Sequence, residues 1–285
     1  MAFSNKPVHS APTAQPAATR PAPTTHPATI TCQGVTYRVG GKDGRTILTN
    51  LDFHAECGEI IGICGPNGAG KSTFLRTLGG LIKPQQGTIL INGQAIDQIK
   101  PRNLARQLSF LPQDTTVPFD FRAKEIVLMG RHPYASSLAA WSDEDLAIVH
   151  QAMIDAECDK EADQLVTTLS GGERQRVMVA RLLAQDTPIV LLDEMTANQD
   201  IRHASQLLEL ASKLAAAGKL VIMVLHDLRA AARVCSRVCL MHNGRIVADG
   251  NPADVLHEGH IAYVYGIQVK TFTNPFGQWD YDTHQ

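Results

Sequence analysis

No apolar run in the chain is long enough to cross a bilayer: VIMVL at Val221–Leu225 is among the longest, against the roughly 18 residues that a span needs. No C-x-x-C pair is present, and the six cysteines (Cys32, Cys57, Cys64, Cys158, Cys235 and Cys239) are scattered, a pattern of reduced thiols in a cytosolic protein. Cys235 and Cys239, four apart, read as small buried hydrophobes rather than as a metal pair. Net charge is nearly absent: 26 Lys and Arg stand against 28 Asp and Glu, so no basic field exists to attract nucleic acid, which is excluded as a partner. Large apolar side chains are missing from residues 1–28, which are rich in Pro, Ala and Thr. That segment cannot bury enough surface to offset its ordering entropy and is expected to be a disordered tail, without the apolar centre of a secretory leader. The remainder, in a chain of 285 residues that is 44% hydrophobic, suffices for one large domain or a domain with a subdomain.

Within that domain, GPNGAGKST spells a complete G-x-x-x-x-G-K-[ST] loop from Gly65, Pro66, Asn67, Gly68, Ala69, Gly70, Lys71, Ser72 and Thr73. The apolar run EIIGIC precedes it and the helically spaced STFLRTLGGL follows it, giving strand, loop, helix. Backbone N–H groups of such a loop wrap phosphates, Lys71 neutralises the β and γ oxygens, and the Ser72 hydroxyl ligates Mg²⁺. PIVLLDE and KLVIMVLHD are continuous apolar runs, as expected for strands buried on both faces of a parallel sheet. Asp193, Glu194 and His226 then emerge at the carboxyl ends of the strands, where open α/β sheets gather their ligands. Asp193 is expected to hold Mg²⁺, Glu194 to act as general base, and His226 to touch the γ-phosphate and orient the attacking water. Asn92-Gly93 and Asn243-Gly244 each stand between apolar runs and predict tight antiparallel hairpins. From about Arg102 to Thr168 the periodicity is helical with no strong strand, which places a helical subdomain there.

A second apparent phosphate cradle, LSGGERQR, runs from Leu169 to Arg176, with glycines opening a helix whose N-terminus favours an anion. One nucleotide does not need two cradles. Taken in order, GPNGAGKST, LPQD, LSGGERQR, IVLLDE, NQD and VLHD resemble the ATPase subunits of ABC transporters over about Ile30–Gly266. The resemblance implies an α/β fold: a P-loop NTPase core with a mixed, mainly parallel sheet and antiparallel pieces, plus the helical subdomain. It divides the chain into the tail, an ATPase domain over 29–266 and a C-terminal extension over 267–285. It implies ATP and Mg²⁺ as cofactors, Gln113 of LPQD as a Mg²⁺-sensing residue linked to a membrane partner, and Asp200 as the D-loop aspartate. It also explains the second cradle: Ser170, Gly171 and Gly172 would close over ATP held by Lys71 of a second copy in a head-to-tail dimer.

Two positions depart from the family pattern, where Pro usually follows the Glu and Leu precedes the last Asp; here Met195 and Gln199 stand instead. Neither is expected to touch phosphate, so activity should survive, with a softer link between base and dimer seam. Tyr37 is the nearest aromatic for stacking on adenine, with Val39 the other residue for that place; on a regular strand both point the same way. EIVLMGRHPY at Glu125–Tyr134 and YGIQV at Tyr265–Val269 are similar to the importers of iron-siderophore complexes, haem and cobalamin. That branch implies an integral-membrane permease as direct partner, a periplasmic or surface substrate-binding protein as indirect partner, and a peripheral place on the cytoplasmic face of the inner membrane. An exporter ATPase, or a non-transport ABC protein acting in assembly or regulation, is the alternative.

Overall fold

The computed structural model describes residues 28–40, 44–115, 117–135, 141–193 and 201–283. The chain opens with β1 (Thr29–Val39), β2 (Arg45–Glu56) and β3 (Ile60–Cys64), followed by α1 (Lys71–Leu78), β4 (Gln86–Ile91), β5 (Gln94–Ala95) and α2 (Pro101–Leu104). Next come β6 (Leu108–Leu111), α3 (Ala123–Leu128), α4 (Asp143–Asp155), α5 (Gly171–Gln185), β7 (Ile189–Leu192), α6 (Ile201–Ala216), β8 (Leu220–Val224) and α7 (Leu228–Val234). The last elements are β9 (Arg237–His242), β10 (Arg245–Gly250), α8 (Pro252–Val255), α9 (Glu258–Tyr265), β11 (Val269–Thr273) and β12 (Trp279–Thr283).

Three sheets result. A six-stranded sheet has the order β10-β9-β3-β8-β7-β6, a four-stranded antiparallel sheet the order β2-β1-β4-β5, and β11 pairs with β12 alone. In the large sheet β3, β7 and β8 are buried at every position, and their side chains alternate between two cores. Ile61, Ile63, Ile189, Leu191, Leu220, Ile222 and Val224 face a core shared with α1 and the antiparallel sheet. Val190, Leu192, Val221, Met223 and Leu225 face the other, shared with α3, α4 and α5. Period-two alternation between two apolar layers is why these strands read as unbroken hydrophobic runs. Each fully buried side chain contributes about 2 kcal/mol relative to exposure.

The two Asn-Gly hairpins form as expected. Asn92 and Gly93 adopt φ 52° and 78°, and Asn243 and Gly244 adopt 47° and 72°, the paired positive angles of a type I′ turn.

One expectation needs correcting. The stretch from 102 to 168 is mainly helical but contains β6, which pairs parallel with β7 at the edge of the large sheet. Its four residues, LSFL, are too few for periodicity to distinguish a strand from a buried helical turn. Residues 1–27 of the expected tail lie outside the described residues; Ala28 is already buried and donates its N–H to Cys57 Sγ at 3.0 Å. The last segment, which carries no element in the sequence reading, folds into the β11–β12 hairpin.

Candidate functional site

Parallel pairing brings the sequence-distant motifs to one edge. Leu111 of β6 aligns with Leu192 of β7, Leu192 with Met223 of β8, and Val224 with Ile63 of β3. The ladder runs on into the loops, where Asp193 N donates to Leu111 O at 2.9 Å and Leu225 N to Ile63 O at 3.1 Å. Neighbouring strands lie about 4.8 Å apart. Gln113, Asp193, His226 and the Gly65 loop therefore leave four consecutive strands at the same end.

The Gly65–Thr73 loop is shaped by backbone that only glycine tolerates. Gly65, Gly68 and Gly70 have φ of 144°, 80° and 99°. A Cβ on Gly65 would lie 2.2 Å from Met241 O, whereas one on Gly68 would meet nothing within 4 Å. The first glycine is thus enforced by packing, and Gly68, exposed beside exposed Asn67, faces open space where a ligand can approach. α1 starts at Lys71 with Gly70 as N-cap, no side-chain cap and no acidic residue in its first turn, so its leading N–H groups and positive dipole end suit an anion. Lys71 is buried and its Nζ donates to Gly65 O at 2.8 Å and Pro66 O at 3.0 Å, holding the ammonium under the loop. The Asn243-Gly244 turn braces the same loop: Gly244 N donates to Ala69 O at 3.0 Å and Gly244 O accepts from Thr49 N at 2.9 Å.

Asp193 is fully buried. Its Oδ2 lies 3.0 Å from Arg76 Nη2, yet neither carboxylate oxygen accepts an aligned hydrogen bond. A buried carboxylate is costly unless it is both paired and hydrogen-bonded; Arg76 supplies the charge but no aligned hydrogen bond, which leaves lone pairs open to a further cation. The donor set of carboxylate, Ser72 hydroxyl and Gln113 amide is all hard oxygen, which fits Mg²⁺. Among the described residues no group of three His, Cys, Asp or Glu could cage a metal. Arg76 is the residue at this site that sequence reading missed; it follows Lys71 by five positions in an otherwise ordinary amphipathic helix, and only the packing of α1 against β8 reveals its partner.

His226 is half-buried between β8 and α7, and Gln113 is exposed two residues past β6. Glu194 and Asp200, with Met195 and Gln199, lie outside the described residues. Tyr37 is half-buried against the core beside the antiparallel sheet, while Val39 is 52% exposed. The register of β1 against β2 shifts between Tyr37 and Arg38 because β2 carries an extra residue there, with Tyr37 opposite Leu48 and Arg38 opposite Thr46.

The LSGGERQR segment starts α5. Ser170 is its N-cap: Oγ accepts from Glu173 N at 3.3 Å and donates to Glu173 Oε2 at 2.7 Å, and Ser170 N donates to the same oxygen at 2.8 Å. This reciprocal pair is a capping box. Hydrogen bonds from the Ser170 hydroxyl and backbone hold the Glu173 carboxyl below its ordinary value. Ser170 and Gly171 are exposed, and a Cβ on Gly171 would meet nothing within 4 Å. Among the described residues nothing crowds a side chain at that position. A cavity of about 470 Å³ opens along α4, α5 and α6, with Gly172, Gln175, Arg176 and Lys213 among its lining, but none of its walls belongs to the Gly65–Thr73 loop. All six cysteines are free and five are buried. Cys235 ends α7 while Cys239 sits in β9, and burial pushes the Cys235 thiol up to about 12; both behave as small hydrophobes.

A glycine loop between a buried parallel strand and a helix, with a buried aspartate at the end of the next strand but one, defines a P-loop nucleoside triphosphatase. The ABC transporter family matches residues 48–197. The chain is 39% identical over 237 residues to the achromobactin transport ATP-binding protein of Dickeya dadantii, covering 83% of this chain and 88% of that one. It is 42% identical over 241 residues to a hemin import ATP-binding protein of Nocardia farcinica, covering 85% and 83%. With the ferric enterobactin transport ATP-binding protein of Escherichia coli it shares 39% over 231 residues, 81% and 85% of the two chains. A cassette solved as a dimer in a post-hydrolysis state with ADP and phosphate superposes with TM-score 0.70 at 27% identity, over 78% of this chain and 98% of that one. The chain belongs to the ABC transporter family and is one of its ATPases. Among the described residues no helix is long and apolar enough to cross a membrane.

Proposed function

We propose that this chain is the ATP-hydrolysing subunit of an importer for an iron chelate, haem or cobalamin, working beneath a separate membrane permease. The fold alone does not choose a direction of transport, since an exporter with ATP bound also superposes, with TM-score 0.71. The observation that carries the importer reading is similarity at 39–42%, over 81–85% of this chain, to siderophore and hemin import subunits. In this reading the protein is peripheral at the cytoplasmic face of the membrane, and a substrate-binding protein delivers cargo from outside.

Within the site, the N–H groups of the Gly65–Thr73 loop and the start of α1 take the β and γ phosphates, and Lys71 exchanges its carbonyl partners for phosphate oxygens. Ser72, Asp193 and Gln113 hold Mg²⁺, which when bound neutralises charge on those oxygens. Glu194 takes the proton of the attacking water and His226 orients that water against the γ-phosphate. Tyr37 lies toward the adenine. Ser170, Gly171 and Gly172 of a second copy cover the γ-phosphate, with Asp200 at the seam, so ATP joins the copies and hydrolysis releases them. A glycine that none of the described residues crowds, at an exposed helix start, supports this trans assignment.

The test is reconstitution with the permease and measurement of which cargo, among ferric siderophore, haem and cobalamin, stimulates ATP turnover. Glu194→Gln is expected to retain ATP while nearly abolishing hydrolysis. Turnover unchanged by Glu194→Gln removes it as the base, and stimulation by none of the three cargoes removes the importer assignment.

A further inference from the structure

The β11–β12 hairpin is joined to neither large sheet, and a lone two-stranded hairpin is marginal in water. Its contacts with the rest of the molecule therefore decide its place. Val269 is buried, Trp279 and Tyr281 pack against the core on the α5 side, and Thr271 N donates to Glu258 Oε1 of α9 at 3.0 Å. Its main polar contact is with α7. Arg229 Nε donates to Asp280 Oδ1, Arg229 Nη2 donates to Tyr281 O at 2.9 Å, and the guanidinium lies 4.5 Å from the centre of the Tyr281 ring. Asp280 also accepts from Tyr281 N at 2.8 Å, which fixes the carboxylate that meets the arginine. Three different chemistries, an ion pair, a carbonyl and an aromatic face, converge on one side chain.

That side chain stands three residues after His226. α7 has only seven residues, too few to be stable on its own, so its direction is set by what grips it. Its N-cap Asp227 accepts from Arg229 N at 2.8 Å, making residues 227–229 one hydrogen-bonded unit. Upstream, Leu225 N is tied to Ile63 O of β3. His226 thus lies between an anchor on the strand that carries the glycine loop and α7, which is held both by burial of Leu228, Ala230 and Ala231 and by the hairpin.

We propose that the β11–β12 hairpin is a brace that positions His226 through Arg229, with Asp280 and Tyr281 as positioning residues for hydrolysis. The proposal rests on the role given to His226 above. With α7 released, nucleotide still binds to the glycine loop, which the hairpin does not grip, but the imidazole is less often aligned. The brace therefore acts on turnover and not on nucleotide affinity.

The experiment compares full-length wild type with Arg229→Ala, Asp280→Ala, the double variant and Arg229→Lys. Expected are a five- to tenfold lower kcat in each alanine variant with KM for ATP within twofold, no further loss in the double variant, and partial recovery in Arg229→Lys. Hydrogen exchange on the same proteins is expected to rise about tenfold at the amides of residues 226–230 and to stay unchanged over residues 65–73. Wild-type turnover, read alongside, tests the ATPase reading separately. Unaltered exchange at 226–230, or a loss in KM equal to that in kcat, overturns the brace.

Discussion

Replacing Ser170 by aspartate separates two jobs that the same side chain is asked to do. In the single chain Ser170 caps α5 through its hydroxyl. Aspartate is as good an N-cap as serine, and its charge is favourable at a helix N-terminus; it loses the donated bond to Glu173 Oε2, which acts in the opposite direction. The net change in folding free energy is within about 1 kcal/mol, a shift in Tm of no more than about 3 °C in a protein of this size. On the proposed trans assignment, the new carboxylate would face the partner's γ-phosphate in the two-copy assembly. At about 4 Å and an effective dielectric near 20, a pair of like unit charges repels by about 4 kcal/mol, which corresponds to roughly a thousandfold in rate. Steady-state ATPase assays and thermal unfolding on the same preparation read both quantities. Ser170→Ala supplies the contrast: it loses the cap, at about 1 kcal/mol, but adds no charge, so it should melt lower than Ser170→Asp while retaining more activity. Turnover of Ser170→Asp within threefold of wild type, with Tm unchanged, would refute the trans contact and leave Ser170 as a helix cap alone.

Gly65→Ala should destabilise the protein by about 3 kcal/mol, seen as a lower Tm, because its Cβ falls 2.2 Å from Met241 O at a φ of 144°; an unshifted Tm would mean that the loop moves aside freely. Chelation of Mg²⁺ should stop turnover, and Asp193→Asn should weaken Mn²⁺ binding to the ATP-loaded protein more than tenfold by electron paramagnetic resonance. Without metal, Asp193→Asn should melt no lower than wild type, since the change removes a buried charge whose oxygens lack aligned donors; a drop of several degrees would make Asp193 a structural partner of Arg76. Burial pushes the Asp145 carboxyl up, but the guanidinium of Arg131, 2.8 Å away, and the Ser142 hydroxyl outweigh it and hold the group below its ordinary 3.8. Because the folded pKa is depressed, that stabilisation is present above pH 3.8 and is lost as pH falls through the folded value. Asp145→Ala should therefore cost about 2 kcal/mol at neutral pH, and the gap in denaturant midpoint should close in acid.

What could be read from the sequence was local or periodic. The glycine loop was legible because its backbone geometry and its charge are both written in adjacent residues, and β3, β7 and β8 because burial on both faces leaves no polar position. The Asn-Gly turns were legible because few other dipeptides hold two positive φ angles. Features decided by distant partners were not. β6 is a strand because β7 lies beside it. The β11–β12 turn has no Asn-Gly signal; Asn274 Oδ1 closes it by accepting from Phe276 N and Gln278 N. Arg76 finds Asp193 only once α1 packs against β8, which no spacing within α1 announces.

The two helix starts that bear on phosphate are charged differently, and the difference suits their different tasks. α1 has no acid in its first turn and no side-chain cap, so its dipole is uncompensated until an anion arrives, and Lys71 beneath it adds a full charge. α5 carries Glu173 in its first turn, already bonded to the Ser170 hydroxyl and backbone N–H, so its dipole is largely answered within the chain. To reach a partner's phosphate, α5 must give up part of that internal bond, and it regains the bond when phosphate leaves. On the proposed trans assignment, a site on α1 would hold nucleotide through the cycle, whereas a contact from α5 would be weak and readily reversed. A clamp that closes on the triphosphate and opens on the diphosphate requires that asymmetry, because a ligand shifts an equilibrium only by the difference in its affinity for the two states. Glu173→Gln tests it: by lightening the internal competition it should prolong the ATP-bound dimer, measured by light scattering in a Glu194→Gln background. A dimer lifetime that is unchanged or shortened would show that the capping box does not compete with the partner's phosphate.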